Sequence, residues 1–384
     1  MSVLTPMQRQ YYSIKKANKN SILLFRLGDF YEMFDEDALI ASQILGITLT
    51  ARNKGKENEM KMCGIPYHAS ENYINKLTQA GKKVAICEQV SDPTEPGIVK
   101  REVTKIITPG TVLSENVLDA KSSNFIAAVF EKNNTFGLAF ADISTGKFFT
   151  TEFANFAEIK YEIQRINPAE LLLEKNISSL EDFKKISSNI SFWFIPQQPE
   201  TFLKNFFKVS HLKVFYLEKS PLAVAATAML LDYINDTQKG QIAQIKTIKK
   251  YTNNDYMNLD IATIRNLEVF QTMHNSTYHG SLLKVIDKTV TAAGGRKLKY
   301  LLLNPLKNIE KIQQRLAKVE MLTKNNEMRA DLRNILKETR DLERLLSKIA
   351  SSNANPKDLI ALSETLSKIP EIKKILKKIS ENKI

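Results

Sequence analysis

The sequence predicts a multidomain α/β plus all-α protein, two mixed α/β domains followed by a purely helical segment, and three observations carry that prediction. Helical and strand patterns alternate through residues 5–110; a meander opens a second α/β pattern after Pro109-Gly110; strand signals cease from about Tyr256 onwards.

In the first stretch a polar helix through Met7, Tyr11 and Ile14 precedes the runs ILLFRL, GITLTA, KVAICEQV and EVTKIIT, which read as strands. Within SILLFRLGDFYEMFDEDALIASQIL two apolar runs flank Gly28-Asp29, a pair suited to a tight hairpin, and Asp35 is placed to cap the helix that follows. If Phe30 to Phe34 is a strand, Phe30, Glu32 and Phe34 share one face while Tyr31 and Met33 take the other. On a helix Phe30 and Glu32 would point apart, so any cooperation between them depends on the strand.

A polar link, LSENVLDAKSS, leads to the second pattern: FIAAVF, a turn at Glu131 to Thr135, FGLAFADI, a turn at Ser144 to Gly146, and FFTTEF. Three strands joined by short turns form a meander, followed by a helix over Phe156 to Ile166, the strand ELLLEK and further helices. The pattern ends before the basic segment KGQIAQIKTIKKYTNND. Beyond it, Ile309, Ile312, Leu316, Val319 and Leu322 form one helical stripe and Leu332, Ile335, Leu336, Leu342, Leu345 and Ile349 another, both expected to be helical core. There is no internal repeat.

Composition narrows the function classes. The chain is 43% hydrophobic and 25% charged, as folded proteins are, and its formal charge of +13 favours polyanionic partners. The first residues, MSVLTPMQRQYYSIKKANKN, lack the apolar centre of a signal peptide, and the longest apolar stretch, Leu222 to Leu231, is too short to span a bilayer, so a cytoplasmic location is expected. Cys63 and Cys87 with His68 between them fall short of four zinc ligands; two buried thiols are expected.

An exposed aromatic beside a lone carboxylate suits the reading of a disturbed base pair. Apolar side chains that enter the minor groove wedge between base steps, and a mismatched step unstacks more cheaply than a paired one. A carboxylate near DNA is otherwise repelled, so it makes sense where it hydrogen-bonds a base edge that pairing would have occupied. The residues alone leave open that Phe30 is core and Glu32 a solvated or capping acid.

The blocks LLFRLGDFYEMFDEDA, MKMCGIPYHASENYINKL, VAICEQVSDP and VTKIITPGT, in that order over about 90 residues, resemble the mismatch-recognition domain of the MutS family of DNA mismatch repair proteins. The likeness continues through a connector and rises again in MNLDIATIRNLEVF and TAAGGRKLKYLLLNPL, which look like the start of the family's core. It implies a mismatch-recognition domain at 1–112, a ribonuclease H-like connector at 113–250 and a partial helical core and lever at 251–384. It also implies that Phe30 stacks on a mispaired or unpaired base while Glu32 hydrogen-bonds it, with Leu27 beside the wedge and further DNA contacts from Arg52, Lys61, Met62 and Lys105. The GIPYH segment is expected to be structural, with its Gly and Pro setting a turn and His68 packed rather than ligating.

Resemblance further implies double-stranded DNA with mismatches or small insertion/deletion loops as partner, and the downstream repair protein MutL at the connector. Full-length members use ATP and magnesium, bound by a G-x-x-x-x-G-K-[ST] loop. Here the Gly-Lys pairs at Gly55, Gly81 and Gly146 are followed by Glu, Lys and Phe, and Gly294-Gly295-Arg296 is no such loop. A chain without cofactor or ATPase activity is therefore expected, monomeric, bacterial and nucleoid-associated. Two rivals remain. A nuclease would need converging carboxylates, whereas FIAAVF has none and Asp142 stands without obvious partners. An interaction scaffold would use the connector and leave the first domain non-reading.

Overall fold

The computed structural model describes residues 4–55, 59–91, 98–113, 119–251 and 256–381. The middle of the link LSENVLDAKSS, residues 252–255 of the basic segment and the end of VAICEQVSDP lie outside these. Contacts group the chain into two compact units: Met1–Leu118 with Leu231–Ile242, and Asp119–Leu230 with Ala243–Ile384.

In the first unit, α1 (Pro6–Ala17) starts in a capping box: the Thr5 hydroxyl accepts from the Gln8 N–H and the Gln8 side chain accepts from the Thr5 N–H. There follow β1 (Ser21–Leu27), β2 (Phe30–Phe34), α2 (Asp35–Leu45), β3 (Thr50–Arg52), β4 (Met60–Pro66), α3 (Ser70–Gln79), β5 (Lys83–Gln89) and β6 (Arg101–Ile107). The strands form one sheet in the order β3-β4-β2-β1-β5-β6, parallel only between β1 and β5. Buried from Ser21 to Phe25, β1 is covered on both faces, which is why its sequence is a continuous apolar run rather than an alternation. Tyr31, Met33, Cys63, Ile65 and Val84 face Ala38, Ala41, Leu45 and Leu77 of α2 and α3. Leu23, Phe25, Phe34, Ala85 and Cys87 face Tyr11 of α1, whose ring meets Phe34 edge-on at 4.9 Å. Tyr233, from the Leu231–Ile242 stretch, accepts a hydrogen bond from Lys83 Nζ at 3.0 Å.

The second unit opens with β7 (Ile126–Lys132), β8 (Thr135–Asp142) and β9 (Lys147–Phe153), the expected antiparallel meander; Asn133 and Asn134, both at positive φ, make its first turn. Then come α4 (Phe156–Ile166), capped by Asn155, β10 (Glu170–Leu173), α5 (Leu180–Lys184), β11 (Ile190–Phe192), α6 (Pro199–Phe207), α7 (Pro221–Thr237), which counts with the first unit from Leu231 on, and β12 (Lys249–Lys250). Sheet order is β11-β10-β7-β8-β9-β12, with β10, β11 and β12 pairing in parallel. After β11 the chain stays tied to the sheet through the Trp193 N–H on the Leu173 carbonyl at 3.0 Å, and the indole stacks on Phe194 with ring centres 5.1 Å apart. Where α7 starts, Glu152 of β9 accepts from the Leu222 and Ala223 N–H groups, and the helix backbone lies so close over β8 that a Cβ on Gly137 would stand 2.0 Å from the Leu222 carbonyl oxygen.

Among the described residues that follow, the named elements are helices, α8 (Ile261–Asn266), α9 (Leu282–Ile286), α10 (Ala292–Leu303), α11 (Ile309–Lys324), α12 (Asn326–Lys337), α13 (Leu342–Ala350) and α14 (Pro356–Glu381), beside an isolated bridge between Tyr256 and Leu306. Ionic contacts tie them to residues 119–122. Arg296, buried, donates to both carboxylate oxygens of Asp341 (2.6 and 2.9 Å), to Glu343 (2.7 Å) and to the Ala120 carbonyl (2.9 Å); Lys121 reaches Asp287 at 2.8 Å. No helix among the described residues is long and apolar enough to cross a membrane.

Several expectations need correction. GITLTA is strand only from Thr50, because β3 is a short edge. The segment MKMCGIP is a full strand, β4, with Gly64 paired inside it and Pro66 as its last residue, rather than a turn within a loop. Asp35 does not cap α2: the helix begins at Asp35 itself, leaving Phe34 as N-cap, and the Asp35 carboxylate accepts from the Tyr12 hydroxyl at 2.8 Å. His68 is exposed in a single 3-10 turn, not packed. On α11, Ile309, Leu316 and Val319 lie exposed, at 70%, 60% and 56%. A helix buries only the sector facing its neighbours; here that sector is turned toward Ile312, Arg315 and Leu322, so the stripe is not core. In the second stripe Leu345 is buried and the others half-buried.

Candidate nucleic-acid interface

The β1–β2 hairpin turns on Gly28-Asp29, with Leu27 paired to Phe30. Gly28 takes φ +59°, the left-handed value that a two-residue hairpin needs at its first position. Behind the turn, the Asp29 carbonyl accepts from the Tyr67 N–H at 3.0 Å, and the Arg26 guanidinium lies 3.5 Å from the Tyr67 ring centre while bonding the Gly28 carbonyl and sitting 3.6 Å from Glu88. The Tyr31 hydroxyl donates to the same Glu88. The hairpin end is thus fixed from its rear.

Its front carries the predicted pair. Directly paired residues of antiparallel strands point to the same side, so the registers Leu27–Phe30, Phe25–Glu32, Glu32–Gly64, Phe34–Met62 and Arg52–Met60 put Leu27, Phe30, Glu32, Arg52 and Met62 on one face. This is the α1 side of the sheet. The helix covers Phe34, which is fully buried, and leaves Phe30 48% exposed at the other end of the same strand.

Lys61 and Lys105 are not brought to that face. Lys61 is exposed opposite Ala51, and Lys105 pairs with Ile86, whose side chain belongs to the α2/α3 core. Burial lowers Lys105 to about 8, which leaves it a readily neutralised cation.

Glu32 is half-buried. Burial pushes its carboxyl above the usual range, and Arg52 pulls it back through an Nη1 hydrogen bond to Oε2 at 2.8 Å. Gly64 lies between the two predicted residues: a Cβ there would be 3.7 Å from Glu32 Cγ and 3.8 Å from Phe30 Cδ1. With hydrogen in its place, a gap stays open beside ring and carboxylate. Gly64, expected to help set a turn, lies inside a strand, where glycine marks close approach, and with Pro66 so near the sequence carries no sign of it. The Arg26–Tyr67 clamp had no sequence signal, because its partners meet only through the fold.

Cys63, Cys87 and Asp142 each have a structural place instead. Both cysteines are buried, and burial pushes Cys63 to about 11 and Cys87 to about 12. Asp142, expected to lack partners, is buried and accepts from the Ser144 N–H (3.0 Å), the Ser144 hydroxyl (2.6 Å) and the Asn124 N–H (3.4 Å), holding the β8–β9 turn. Burial raises its carboxyl. Among the described residues no group of three or more His, Cys, Asp or Glu side chains is arranged to hold a metal ion.

Three family models match in sequence order: MutS domain I over residues 5–116, MutS domain II over 124–246 and MutS domain III over 262–384. The chain is 43% identical over 336 residues to DNA mismatch repair protein MutS of Dehalococcoides mccartyi (strain ATCC BAA-2266 / KCTC 15142 / 195), a match covering 86% of this chain and 39% of the relative. Identity is 42% over 348 residues to the protein of the same name from Halothermothrix orenii (87% and 39%), and 41% over 345 residues to that of Clostridioides difficile (87% and 36%). The chain therefore spans about two-fifths of the length of these relatives. With all three domain models matched in order and about two-fifths of its residues identical to these relatives over most of its length, the chain belongs to the MutS family of DNA mismatch repair proteins.

Proposed function

We propose that the chain binds double-stranded DNA and prefers sites with a mismatch or an unpaired base, Phe30 entering the stack and Glu32 hydrogen-bonding the displaced base. One observation carries this reading: a ring 48% exposed at the end of a strand whose other aromatics are buried, with a half-buried carboxylate two residues on and the gap left by Gly64 between them. Single exposed apolar residues are common, so it is the place of this one that matters, on a clamped hairpin beside a half-buried carboxylate, and a ring of this size stacks on any base. The formal charge of +13 supplies the sequence-independent part of binding. Leu27 and Met62 flank the wedge, while Lys61 contributes as a general cation from the other side of the sheet; Lys105, lowered by burial, adds little to it.

The division into a recognition domain at 1–112, a connector at 113–250 and a helical core segment at 251–384 is part of the same reading. A meander with parallel strands added beside its first member is the arrangement expected of a ribonuclease H-like connector, and its role here is to meet a partner, with MutL the one the family suggests. Nucleotide hydrolysis is not assigned to these residues, which contain no phosphate-binding loop; phosphate release above a protein-free blank would contradict that.

The test is a comparison of affinities for a duplex with one unpaired base and for its fully paired counterpart. Phe30→Ala should lower the first by roughly tenfold to a hundredfold and hardly move the second. Glu32→Ala should also lose discrimination, partly by tightening the paired duplex, since a like charge facing the phosphates is removed. A Phe30→Ala protein that melts lower but keeps its ratio of affinities would end the wedge reading.

A further inference from the structure

Resting on the reading of Glu32 as the base-contacting acid, we propose that Arg52 is a positioning residue for discrimination: it anchors one oxygen of the Glu32 carboxylate and leaves the other for the displaced base. Arg52 Nη1 donates to Glu32 Oε2 at 2.8 Å, and no hydrogen bond to Oε1 occurs among the described residues.

The sheet builds this arrangement across three strands. Arg52 belongs to the edge strand β3 and pairs with Met60; Glu32 belongs to β2 and pairs with Gly64; β4 lies between them. The guanidinium passes over β4 to reach the acid, on the face that also carries Met62. At 38% side-chain exposure against 17% for Glu32, Arg52 closes the solvent side of the pair without being buried itself.

Two consequences follow from the chemistry. An unanchored glutamate samples several rotamers and two equivalent oxygens, and ordering it on contact with a base would take away part of the binding energy; an anchored one presents a single acceptor. The cation also offsets the carboxylate charge next to the DNA phosphates, so the acid can sit at the interface without repelling every duplex equally. A lone arginine on a basic protein would otherwise be taken for a phosphate contact, which carries no information about the base.

A double-mutant cycle on the full 384-residue chain separates the two roles. Affinities are measured for a duplex with one unpaired thymine and for the paired duplex, with Arg52→Ala, Arg52→Lys, Glu32→Ala and the double variant Glu32→Ala/Arg52→Ala, alongside thermal melts. Arg52→Ala should cut the ratio of the two affinities by about tenfold, the low end for a hydrogen bond to a charged group, because the pair is partly exposed. Arg52→Lys should recover part of that ratio, and Arg52→Ala should change it no further once Glu32 is gone. If Arg52→Ala melts below the assay temperature, the Arg52→Lys protein with and without Glu32→Ala decides by the same criterion.

Equal weakening of both duplexes in both backgrounds, with the salt dependence falling by about one counterion, makes Arg52 a phosphate contact and overturns the proposal. Failure of the underlying reading looks different: there Glu32→Ala alone leaves the ratio unchanged. A lowered ratio for Glu32→Ala with none for Arg52→Ala removes only the role of Arg52.

Discussion

Gly64 shows how much of the Phe30–Glu32 face is set by an atom that is missing. The Cβ of an alanine would find only ordinary van der Waals neighbours, at 3.6 to 3.8 Å, and no left-handed φ opposes it. Gly64→Ala should therefore fold with stability unchanged or raised by up to about 1 kcal/mol, since glycine in a strand is the less favourable residue. Gly64→Leu places a branched chain where a base would enter, and should lower mismatch affinity about as far as Phe30→Ala while leaving paired-duplex affinity intact. Titrations with both duplexes check this, and a loss shared equally between them would mean the gap is not used. The Phe30–Glu32 face was legible in the sequence because period-two alternation is a local property of one strand. The Arg52–Glu32 bond was not: it depends on the registers of β3 on β4 and β4 on β2, which no local pattern encodes.

Elements with their own punctuation were the readable ones. Gly28-Asp29 announces a hairpin and the helix over Phe156–Ile166 falls where its pattern put it, while the turn expected at Glu131 to Thr135 narrows to Asn133 and Asn134. The strand β4 was hidden because Gly64 and Pro66 near its end look like a turn, and the stripe on α11 misled because periodicity tells that a face is apolar, not that anything covers it. The crossing of α7 over β8 gives the sharpest prediction at this scale. A side chain on Gly137 meets backbone, the Leu222 carbonyl carbon at 2.3 Å and its oxygen at 2.0 Å, so neither partner can rotate away. Gly137→Ala should destabilise the second unit by about 3 kcal/mol, visible as a melting point lower by several degrees. An unchanged melt would show that α7 can lift from the sheet at little expense.

Across the second unit, several acids join residues 119–122 and Lys147 to the helical segment, and they titrate together. Burial works against the charged forms of Asp119, Asp287, Asp341 and Glu343, yet hydrogen bonds from Lys299 and Ser122, Lys121 and Thr289, Arg296, and Lys147 with Arg296 hold them below their ordinary values, Asp287 at about 2. A carboxylate depressed on folding stabilises above its unfolded pKa and loses that stabilisation as pH falls toward the folded one. The second unit should thus lose stability between about pH 4 and pH 2, a window that a calorimetric pH series covers; a melting point flat through it would show these contacts to be neutral. Arg296→Ala should lower stability by about 3 to 5 kcal/mol at neutral pH, because it strands Asp341 beside a buried void. The molecule also brings its own means of watching this. Its one tryptophan, Trp193, lies in the second unit, stacked on Phe194, and the first unit has none. Emission excited at the red edge of indole absorption therefore reports on the second unit by itself, while far-ultraviolet dichroism sums over both, so one unlabelled sample, recorded both ways, distinguishes a chain that melts in one step from a chain that melts in two.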